Sequence, residues 1–290
     1  MIWRCRERTF DVTERTLVMG VLNVTPDSFS DGGRFAEPAA AVEHARTLMA
    51  RGADLVDVGG ESTRPGSQPV AAAEQWRRIA TVIETLAAAG VPVSVDTASA
   101  EVATRALHAG ACVVNDVTAL GDPEMATLVA RTRAGVVLMH MRGTPATMQH
   151  GPAYQDVAID VRDQLADRMA RARAAGIAAE AIALDPGIGF GKTARHSHEL
   201  LARVDELAAL GRPVVIGVSR KSFLGAPLDL PVTERLEAGM AATAVAVFLG
   251  ARIVRAHDVR ETVRAVRIAE LLRSARRAVP HASPAAGAGD

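Results

Sequence analysis

The sequence predicts a (β/α)₈ barrel preceded by a short β-hairpin. Eight short apolar runs alternate with eight amphipathic helical patterns, which is the repeat expected of βα units. The apolar runs do not alternate with polar residues, as is typical of strands buried on both faces. A chain of 290 residues with 49% hydrophobic content suffices for one large core. A doubly wound open sheet is the alternative architecture.

The predicted elements follow one another without a break. Phe10 and Val12 alternate with polar neighbours, so residues 2–16 are expected to form a hairpin over the barrel bottom. Strands are predicted near 17–23, 54–58, 92–96, 112–115, 135–139, 181–184, 213–217 and 252–255, and helices near 37–51, 71–89, 99–109, 122–133, 154–175, 193–210, 232–249 and 258–277. Residues 1–278 are interpreted as one domain, and residues 279–290 as a disordered tail.

Composition argues against several classes of protein. The formal net charge is +0, so no global field indicates a nucleic acid or an anionic membrane as partner. The first eight residues are charged where a signal peptide needs an apolar core. No apolar run is long and uncharged enough to span a bilayer. Cys5 and Cys112 form no Cys-x-x-Cys pair. We therefore expect a reduced, cytoplasmic protein.

Lysine and asparagine are rare in this arginine-rich chain. The only lysines are Lys192 and Lys221, and the only asparagines are Asn23 and Asn115. An arginine would serve a general surface role equally well. A retained lysine is therefore a candidate for a role that needs a compact ammonium, although chance is a fair competing explanation.

A polar group follows each predicted strand at the point where its apolar run stops. In a barrel such groups converge on one mouth, because active sites of this fold are built from the βα loops. The competing interpretation is that single members only cap helices or bond to loop backbone. The groups are Asn23, Glu61 beyond Asp57, Asp96, Asn115 with Asp116, His140, Asp185, residues 219–221 and residues 255–257.

The last two strand ends suggest a phosphate site. Arg220 and Lys221 follow the seventh strand, and Arg255 and His257 follow the eighth, where this fold usually binds phosphate. Alternatively, Arg255 pairs with an acid such as Asp258 and binds nothing. Asn23 could offer an amide oxygen to Mg²⁺ held mainly by phosphate and water, but this signal alone is weak.

A second group of polar residues suits a planar heterocycle. Asp96 and Asp185 can accept paired N–H bonds from a 2-amino-pyrimidinone edge, and Asn115 lies in the same set. Lys221 could donate to the ring. The alternative for Asp185 is a helix cap, since Pro186 and a glycine follow it.

No nucleophile–base pair stands out in the sequence, and Ser219 has no evident histidine partner. The glycine-rich segment 187–192 lacks the spacing of a Walker loop. The residues alone thus lead to a phosphorylated heterocycle in a barrel mouth, and they leave the reaction open.

The motifs around these residues resemble the dihydropteroate synthase family over roughly residues 15–275. The matching segments, in the order of the family, are 23–33 (NVTPDSFSDGG), 57–66 (DVGGESTRPG), 94–97 (SVDT), 114–117 (VNDV), 139–145 (MHMRGTP), 184–190 (LDPGIGF), 219–225 (SRKSFLG) and 255–258 (RAHD). No signature is broken.

The resemblance implies a reaction and a set of binding residues. p-Aminobenzoate condenses with 6-hydroxymethyl-7,8-dihydropterin diphosphate to give 7,8-dihydropteroate and pyrophosphate. The family's pterin pocket maps onto Asp96, Asn115, Asp185 and Lys221. Its diphosphate site maps onto Asn23, Arg255 and His257, with Mg²⁺ near Asn23 and Asp31. Its p-aminobenzoate pocket, where sulfonamides compete, maps onto Phe29, Thr63, Arg64, Pro65, Phe190, Lys221 and Ser222.

The resemblance also implies a dissociative substitution, in which diphosphate leaves before the amine attacks. Arg255, His257 and Mg²⁺ would stabilise the leaving charge, while Asp96 and Asp185 favour the pterin cation. A weak aniline nucleophile then needs no strong general base. Together with Lys221, these four residues are the expected catalytic set.

Residues 236–249 are apolar almost all round, whereas a barrel helix needs only one buried face. We therefore expect a homodimer, as is common in the family. Three alternatives stay open at this point: a pterin-binding methyltransferase that serves a corrinoid protein, a paralogue that binds pterin without catalysis, and a sulfonamide-tolerant synthase.

Overall fold

The computed structural model describes residues 1–25, 38–62, 66–149 and 151–278. Eight parallel strands form one sheet in the order β8-β7-β6-β5-β4-β3-β10-β9, and a separate antiparallel hairpin precedes them. The strands are β1 (Ile2–Cys5), β2 (Arg8–Asp11), β3 (Leu17–Asn23), β4 (Leu55–Gly59), β5 (Val93–Asp96), β6 (Val113–Asp116), β7 (Gly135–Met139), β8 (Ile182–Asp185), β9 (Val215–Ile216) and β10 (Ile253–Ala256).

Helices follow the barrel strands on the outside. They are α1 (Pro38–Ala50), α2 (Ala72–Ala88), α3 (Ala100–His108), α4 (Met125–Thr132), α5 (Val157–Ala174), α6 (Ala194–Ala202), α7 (Val204–Ala208), α8 (Ser222–Gly225), α9 (Leu236–Phe248) and α10 (Val259–Ala278). Two short 3₁₀ turns lie at Ala179–Ala181 and Val232–Glu234. No helix in these described ranges is long and apolar enough to cross a membrane.

The sheet curls until its two edge strands meet. A parallel bridge joins Leu184 of β8 to Val214, and the Leu184 N–H donates to the Pro213 carbonyl at 2.9 Å. Because both faces are covered, the strands are continuous apolar runs. The predicted (β/α)₈ barrel is confirmed, and the open-sheet alternative is wrong.

The N-terminal hairpin lies against the barrel bottom. Trp3 pairs with Phe10 across the hairpin and is fully buried. The Trp3 indole N–H donates to the Ala181 carbonyl at 3.0 Å, just before β8. The guanidinium of Arg6 donates to the Leu107 and Ala111 carbonyls. The hairpin thus fills the end of the barrel opposite the strand ends that carry the polar groups.

Two details differ from the predicted elements. The helix expected over 193–210 is interrupted at Arg203, where φ is −127° and ψ is 32°, so it divides into α6 and α7. The short helix α8 was not predicted, because four residues carry too little periodicity to be recognised. The tail predicted to be disordered, from residue 279, lies outside the described residues.

Candidate active site

The carboxyl ends of the strands enclose a cavity of about 490 Å³, counting the part that opens to solvent. Seven residues predicted from sequence line it: Asp96, Asn115, Asp185, Phe190, Lys221, Arg255 and His257. Val21, Val117, Met139, Gly217 and Ser219 complete the wall. These residues come from seven strands or the loops after them, so the barrel brings together groups that are distant in sequence.

Arg255 lies between two buried carboxylates in this cavity. Its Nε donates to Asp57 Oδ2 at 2.6 Å, and its Nη2 donates to Asp96 Oδ2 at 2.7 Å. Burial of the guanidinium opposes its charge, but Asp57 and Asp96 outweigh that effect and raise the pKa of Arg255. Arg255 does pair with acids, as its alternative expects, but the acid named there, Asp258, pairs with Arg220 at 2.7 Å instead.

Asp57 is the site residue that sequence reasoning missed. Besides Arg255, it accepts a hydrogen bond from Asn115 Nδ2 at 3.1 Å. A signal existed, since Asp57 is the only charged residue of a strand, β4, whose five residues are all buried. A buried carboxylate needs a partner, and here the partner comes from the far end of the chain. Its other oxygen, Oδ1, accepts no hydrogen bond from the described residues.

Asp96 has an unusual electrostatic environment. Burial raises the pKa of Asp96 to about 7, the neighbouring carboxylates Asp57 and Asp116 add to this effect, and Arg255 opposes it. Asp96 Oδ1 is also buried without a donor among the described residues. This carboxylate can therefore accept an N–H group from a bound molecule, and that contact would favour its charged form. It does not cap α3, whose N-cap is Ser99.

Asp185 and Lys221 form the opposite wall. Burial raises the pKa of Asp185, and Lys221 opposes that shift. Burial also lowers the pKa of Lys221 to about 8, against the attraction of Asp185. Asp185 Oδ1 accepts the Gly187 N–H at 2.7 Å and so fastens the following turn, and Asp185 also lines the cavity. The helix-cap alternative is wrong, because the N-cap of the next helix, α6, is Thr193. Lys221 Nζ lies 4.7 Å from the centre of the Phe190 ring.

His257 is oriented by Ser219. The Ser219 hydroxyl accepts the His257 backbone N–H at 3.2 Å and lies 3.1 Å from the imidazole Nδ1. The expectation that Ser219 lacks a histidine partner is therefore wrong, because the partner arrives from the next strand. Arg220, which was grouped with the phosphate site, instead turns toward Asp258.

Asn23 ends β3 and is not among the residues that line the cavity, but its side chain lies near Asp96. A Cβ built on Gly59, the neighbouring position of β4, would lie 3.7 Å from Asn23 Oδ1 and 3.6 Å from Asp96 Oδ2. The glycine therefore allows both oxygens to approach the same space. A single amide oxygen can serve as one ligand of Mg²⁺, which keeps most of its ligands as water and phosphate. No cluster of three acidic, histidine or cysteine ligands occurs among the described residues.

Several predicted strand-end residues have structural roles instead. Glu61 accepts the Val70 N–H at 2.7 Å and fastens the loop after β4. Asp116 accepts hydrogen bonds from the backbone of Thr118 and Leu120, so the capping interpretation applies to it. His140 is fully buried behind the cavity wall.

Of the remaining residues predicted for the p-aminobenzoate pocket and the metal, the structure describes only Ser222. Ser222 begins α8 and is exposed. Phe29, Asp31, Thr63, Arg64 and Pro65 lie outside the described residues. A second cavity of about 620 Å³ adjoins the first and shares Asp96 and Val117 with it. Its lining also includes Glu61, Ser62, Ser67 and Pro69, which lie on either side of residues 63–65 in the sequence.

Comparison with known proteins places this site in a family. The profile of pterin-binding enzymes matches residues 19–257. The dihydropteroate synthase of Escherichia coli K12 is 45% identical over 260 residues, which are 89% of this chain and 92% of that protein.

Two solved structures have the same fold. The Yersinia pestis dihydropteroate synthase with a sulfonamide drug superposes with a TM-score of 0.89 at 44% identity, covering 94% of this chain and 100% of that one. The Xanthomonas albilineans dihydropteroate synthase in complex with 7,8-dihydropteroate gives 0.84 at 39% identity, covering 97% and 100%. Together with the profile match and the residues gathered at the barrel mouth, these similarities show that the chain belongs to the dihydropteroate synthase family.

Proposed function

We propose that the chain condenses p-aminobenzoate with 6-hydroxymethyl-7,8-dihydropterin diphosphate, giving 7,8-dihydropteroate and pyrophosphate. The activity is that of a dihydropteroate synthase, a transferase of folate biosynthesis. The observation that carries this conclusion is one cavity in which three buried hydrogen-bonding side chains, Asp96, Asn115 and Asp185, face the cations Lys221 and Arg255.

The three buried side chains and Lys221 hold the pterin. A 2-amino-pyrimidinone edge offers several parallel N–H donors, and carboxylate oxygens are their natural acceptors. Asp96 Oδ1 is buried and accepts nothing from the described residues, which supports this role. Lys221 donates to a ring acceptor on the other side. An apolar wall that includes Val117 and Met139 is available to the faces of the ring.

Arg255, His257 and Asn23 hold the diphosphate. Arg255 already contacts Asp96, so the pterin and the diphosphate occupy adjoining parts of one cavity. Ser219 can donate its hydroxyl proton to His257 Nδ1, which leaves Nε2–H to donate to a phosphate oxygen. The Arg255 cation and the N–H of the neutral His257 ring would thus stabilise the negative charge that grows as the leaving group departs.

Mg²⁺ is the proposed metal, held by Asn23 and Asp31 together with diphosphate oxygens and water. When bound, it supplies additional positive charge to the leaving diphosphate. Asn23 Oδ1 near Gly59 and Asp96 is compatible with this role.

The reaction is proposed to be a dissociative substitution. The carbon–oxygen bond to diphosphate breaks first, and its electron pair leaves with the diphosphate. The methylene cation that remains is delocalised into the pterin ring, where Asp96 and Asp185 stabilise the positive charge. The aniline nitrogen then forms the carbon–nitrogen bond and releases a proton. Excluding water protects the cation from hydrolysis during this interval.

p-Aminobenzoate is proposed to bind beside the pterin. One side of its pocket would be formed by Phe190, Lys221 and Ser222. The other side would be formed by Thr63, Arg64 and Pro65, with Phe29 closing the pocket. Phe190 lies under the Lys221 ammonium at the cavity wall, which supports its part in this pocket. The Lys221 cation is also available to the carboxylate of the second substrate.

Pyrophosphate release from the pterin diphosphate, measured with Mg²⁺ and with or without p-aminobenzoate, tests the function. Release that depends on p-aminobenzoate and yields dihydropteroate is the expected result. Tight pterin binding without any release would contradict the proposal and favour a binding paralogue. Methyl transfer from a methylated pterin to a corrinoid protein would instead favour the methyltransferase alternative.

The chain is further proposed to form a homodimer in the cytoplasm, where the buried thiols of Cys5 and Cys112 stay reduced. Helices α9 and α10 pack against each other, and both carry exposed apolar side chains. A second copy of the same surface would cover them. The exposed side chains on these two helices are Leu236, Val245, Ile268, Leu271 and Leu272.

A further inference from the structure

The two lysines of the sequence both donate to backbone carbonyls of the segment 186–192, to which Lys192 itself belongs. Lys221 donates to the Ile188 carbonyl from the cavity side. Lys192 donates to the Phe190 carbonyl at 2.9 Å from behind, and only 3% of its surface is exposed. Lys192 does not line the cavity, so its ammonium is available to the protein and not to a substrate.

The protonated Lys192 side chain has an acceptor for each of its three hydrogens, and these contacts oppose the burial that lowers the pKa of Lys192 well below its usual range. Besides the Phe190 carbonyl, it lies 3.0 Å from His140 Nδ1 and 3.4 Å from the His140 carbonyl. Three N–H donors and three acceptors match the inventory of a lysine head group. An arginine would bring five donors on a larger planar group, which explains why a lysine stands here in an arginine-rich chain.

The Nδ1 atom of His140 is the hydrogen-bond acceptor for Lys192. Its Nε2 faces the Gln164 amide oxygen at 3.2 Å, so the ring proton is on Nε2 and the lone pair is on Nδ1. Burial and the nearby cations Lys192, Arg168 and Arg142 lower the pKa of His140 to about 2, which keeps the ring neutral. The tautomer is therefore fixed by Gln164 on α5, behind the site.

The segment that Lys192 holds is also fitted closely to the end of β7. Gly187 has φ +65°, and a Cβ there would collide with the His140 carbonyl. Gly191 has φ +58°, and a Cβ there would lie 2.9 Å from the Arg142 carbonyl. The Tyr154 hydroxyl donates to the Gly191 carbonyl at 2.8 Å. Phe190 is thus carried by a backbone that is fastened on both sides of it.

We propose that Lys192 is a positioning residue that fixes the Phe190 ring through its backbone carbonyl and so sets affinity for p-aminobenzoate. This inference rests on the proposed function, in which Phe190 forms the p-aminobenzoate pocket. Asp185, which precedes the segment, is anchored outside it by the pairing of β8 with β7, and its carboxylate also accepts the Gly187 N–H inside the segment. Removing the Lys192 donors therefore loosens the Phe190 side of the pocket and leaves the pterin side in place.

Steady-state kinetics of Lys192→Met test the inference. Methionine has nearly the length of lysine but no donor. KM for p-aminobenzoate is expected to rise about tenfold, while kcat and KM for the pterin diphosphate change less than twofold. In a Phe190→Leu background, the same substitution should raise KM for p-aminobenzoate less than twofold, because the ring that it positions is absent. Equal rises in both KM values, no rise, or a full tenfold rise in the Phe190→Leu background would overturn the proposal.

An assay of the wild-type enzyme distinguishes a failure of the proposed function from a failure of the positioning role alone. If it releases no pyrophosphate in the presence of p-aminobenzoate, the proposed function fails regardless of Lys192. If it is active and Lys192→Met keeps the wild-type KM for p-aminobenzoate, only the positioning role fails.

A measurement that keeps Lys192 in place covers the case in which Lys192→Met does not fold. With ¹³Cε-labelled lysine, the chain gives two side-chain signals, one from each lysine. Lys221→Arg assigns them in the absence of ligand. Adding p-aminobenzoate with pyrophosphate and Mg²⁺ should shift both signals, because the ligand packs on the ring whose carbonyl Lys192 holds. A shift of the Lys221 signal alone would overturn the proposal.

Discussion

Asp57 and Arg255 meet from the two strands that flank β3, 198 positions apart in sequence, with Arg255 Nε donating to Asp57 Oδ2 at 2.6 Å. Asp57 is fully buried, so this pair is shielded from solvent on the carboxylate side. The same oxygen accepts from Asn115. The Asp57 carboxylate thus orients Arg255, which is proposed to bind the diphosphate, and Asn115, which is proposed to bind the pterin. Asp57 does not itself line the cavity.

Asp57→Asn should damage both stability and function. The substitution keeps the shape but leaves Arg255 without one of its two charged partners. We expect the free energy of unfolding to fall by about 3 kcal/mol, as for other broken buried ion pairs. The value of kcat/KM for the pterin diphosphate should fall by about 100-fold, because the guanidinium is no longer oriented. Asp54→Asn, just before the start of the same strand, is the matched control and should keep kcat/KM within threefold. Wild-type kcat/KM in Asp57→Asn would contradict the role given to this pair.

Asp185→Asn should lower turnover by about 100-fold, as for the loss of one strong electrostatic contact with a developing charge. The amide retains an oxygen for the Gly187 N–H, so the turn after β8 should persist. Asp116→Asn is a suitable comparison, since that buried carboxylate bonds only to its own turn. It should lose stability and keep most of its turnover. Steady-state kcat values close to wild type in Asp185→Asn would refute the pterin assignment.

Activity should depend on pH through two groups that face the cavity. Burial raises the pKa of Asp96 to about 7, so its carboxylate is charged above that pH. Burial lowers the pKa of Lys221 to about 8, so its ammonium is charged below that pH. The value of kcat/KM for the pterin diphosphate should therefore peak between about 7 and 8 and decline on both sides.

Lys221→Arg provides the control for the alkaline limb. Arginine stays protonated over this range, so the decline above pH 8 should disappear even if the overall rate is lower. A profile that stays flat from pH 6 to 9 in the wild type would contradict the proposed pairing of Asp96 and Lys221.

Leu271→Glu should disrupt the proposed homodimer. Leu271 is 67% exposed on α10, and a buried carboxylate without a partner opposes association. Light scattering at micromolar concentration should show a dimer for the wild type and a monomer for the variant. Leu228→Glu is the matched control, because Leu228 is also apolar and 60% exposed but lies outside α9 and α10. A wild-type monomer, or a dimer in Leu271→Glu, would contradict this interface.

Trp3→Ala should destabilise the barrel without altering its chemistry. The indole is fully buried and its N–H is bonded to Ala181, so we expect a loss of about 3–5 kcal/mol in the free energy of unfolding. Because the hairpin lies at the end of the barrel opposite the cavity, kcat/KM at 25 °C should stay within twofold. Denaturant titration and steady-state kinetics on the same preparation measure both.

The order of elements and most of the cavity could be predicted from the sequence, because both follow from local patterns. Apolar runs located the strands, and each polar residue that ended a run located one part of the mouth. The partner of each polar residue could not be predicted. Arg255 binds Asp57, Ser219 binds His257 and Arg220 binds Asp258, and these pairs depend on how neighbouring strands align around the barrel.

The contacts of the N-terminal hairpin also constrain the order in which the barrel assembles. The hairpin precedes its partners in the chain: Arg6 binds Leu107 and Ala111, Trp3 binds Ala181, and Arg212 donates to the Ile2 carbonyl. A nascent chain that ends before Arg212 therefore cannot bury the hairpin completely. Trp3 therefore stays exposed to solvent, or bound to a chaperone, until most of the barrel has left the ribosome. Docking of the hairpin is thus a late event in folding, and fluorescence of Trp3 would report when it occurs.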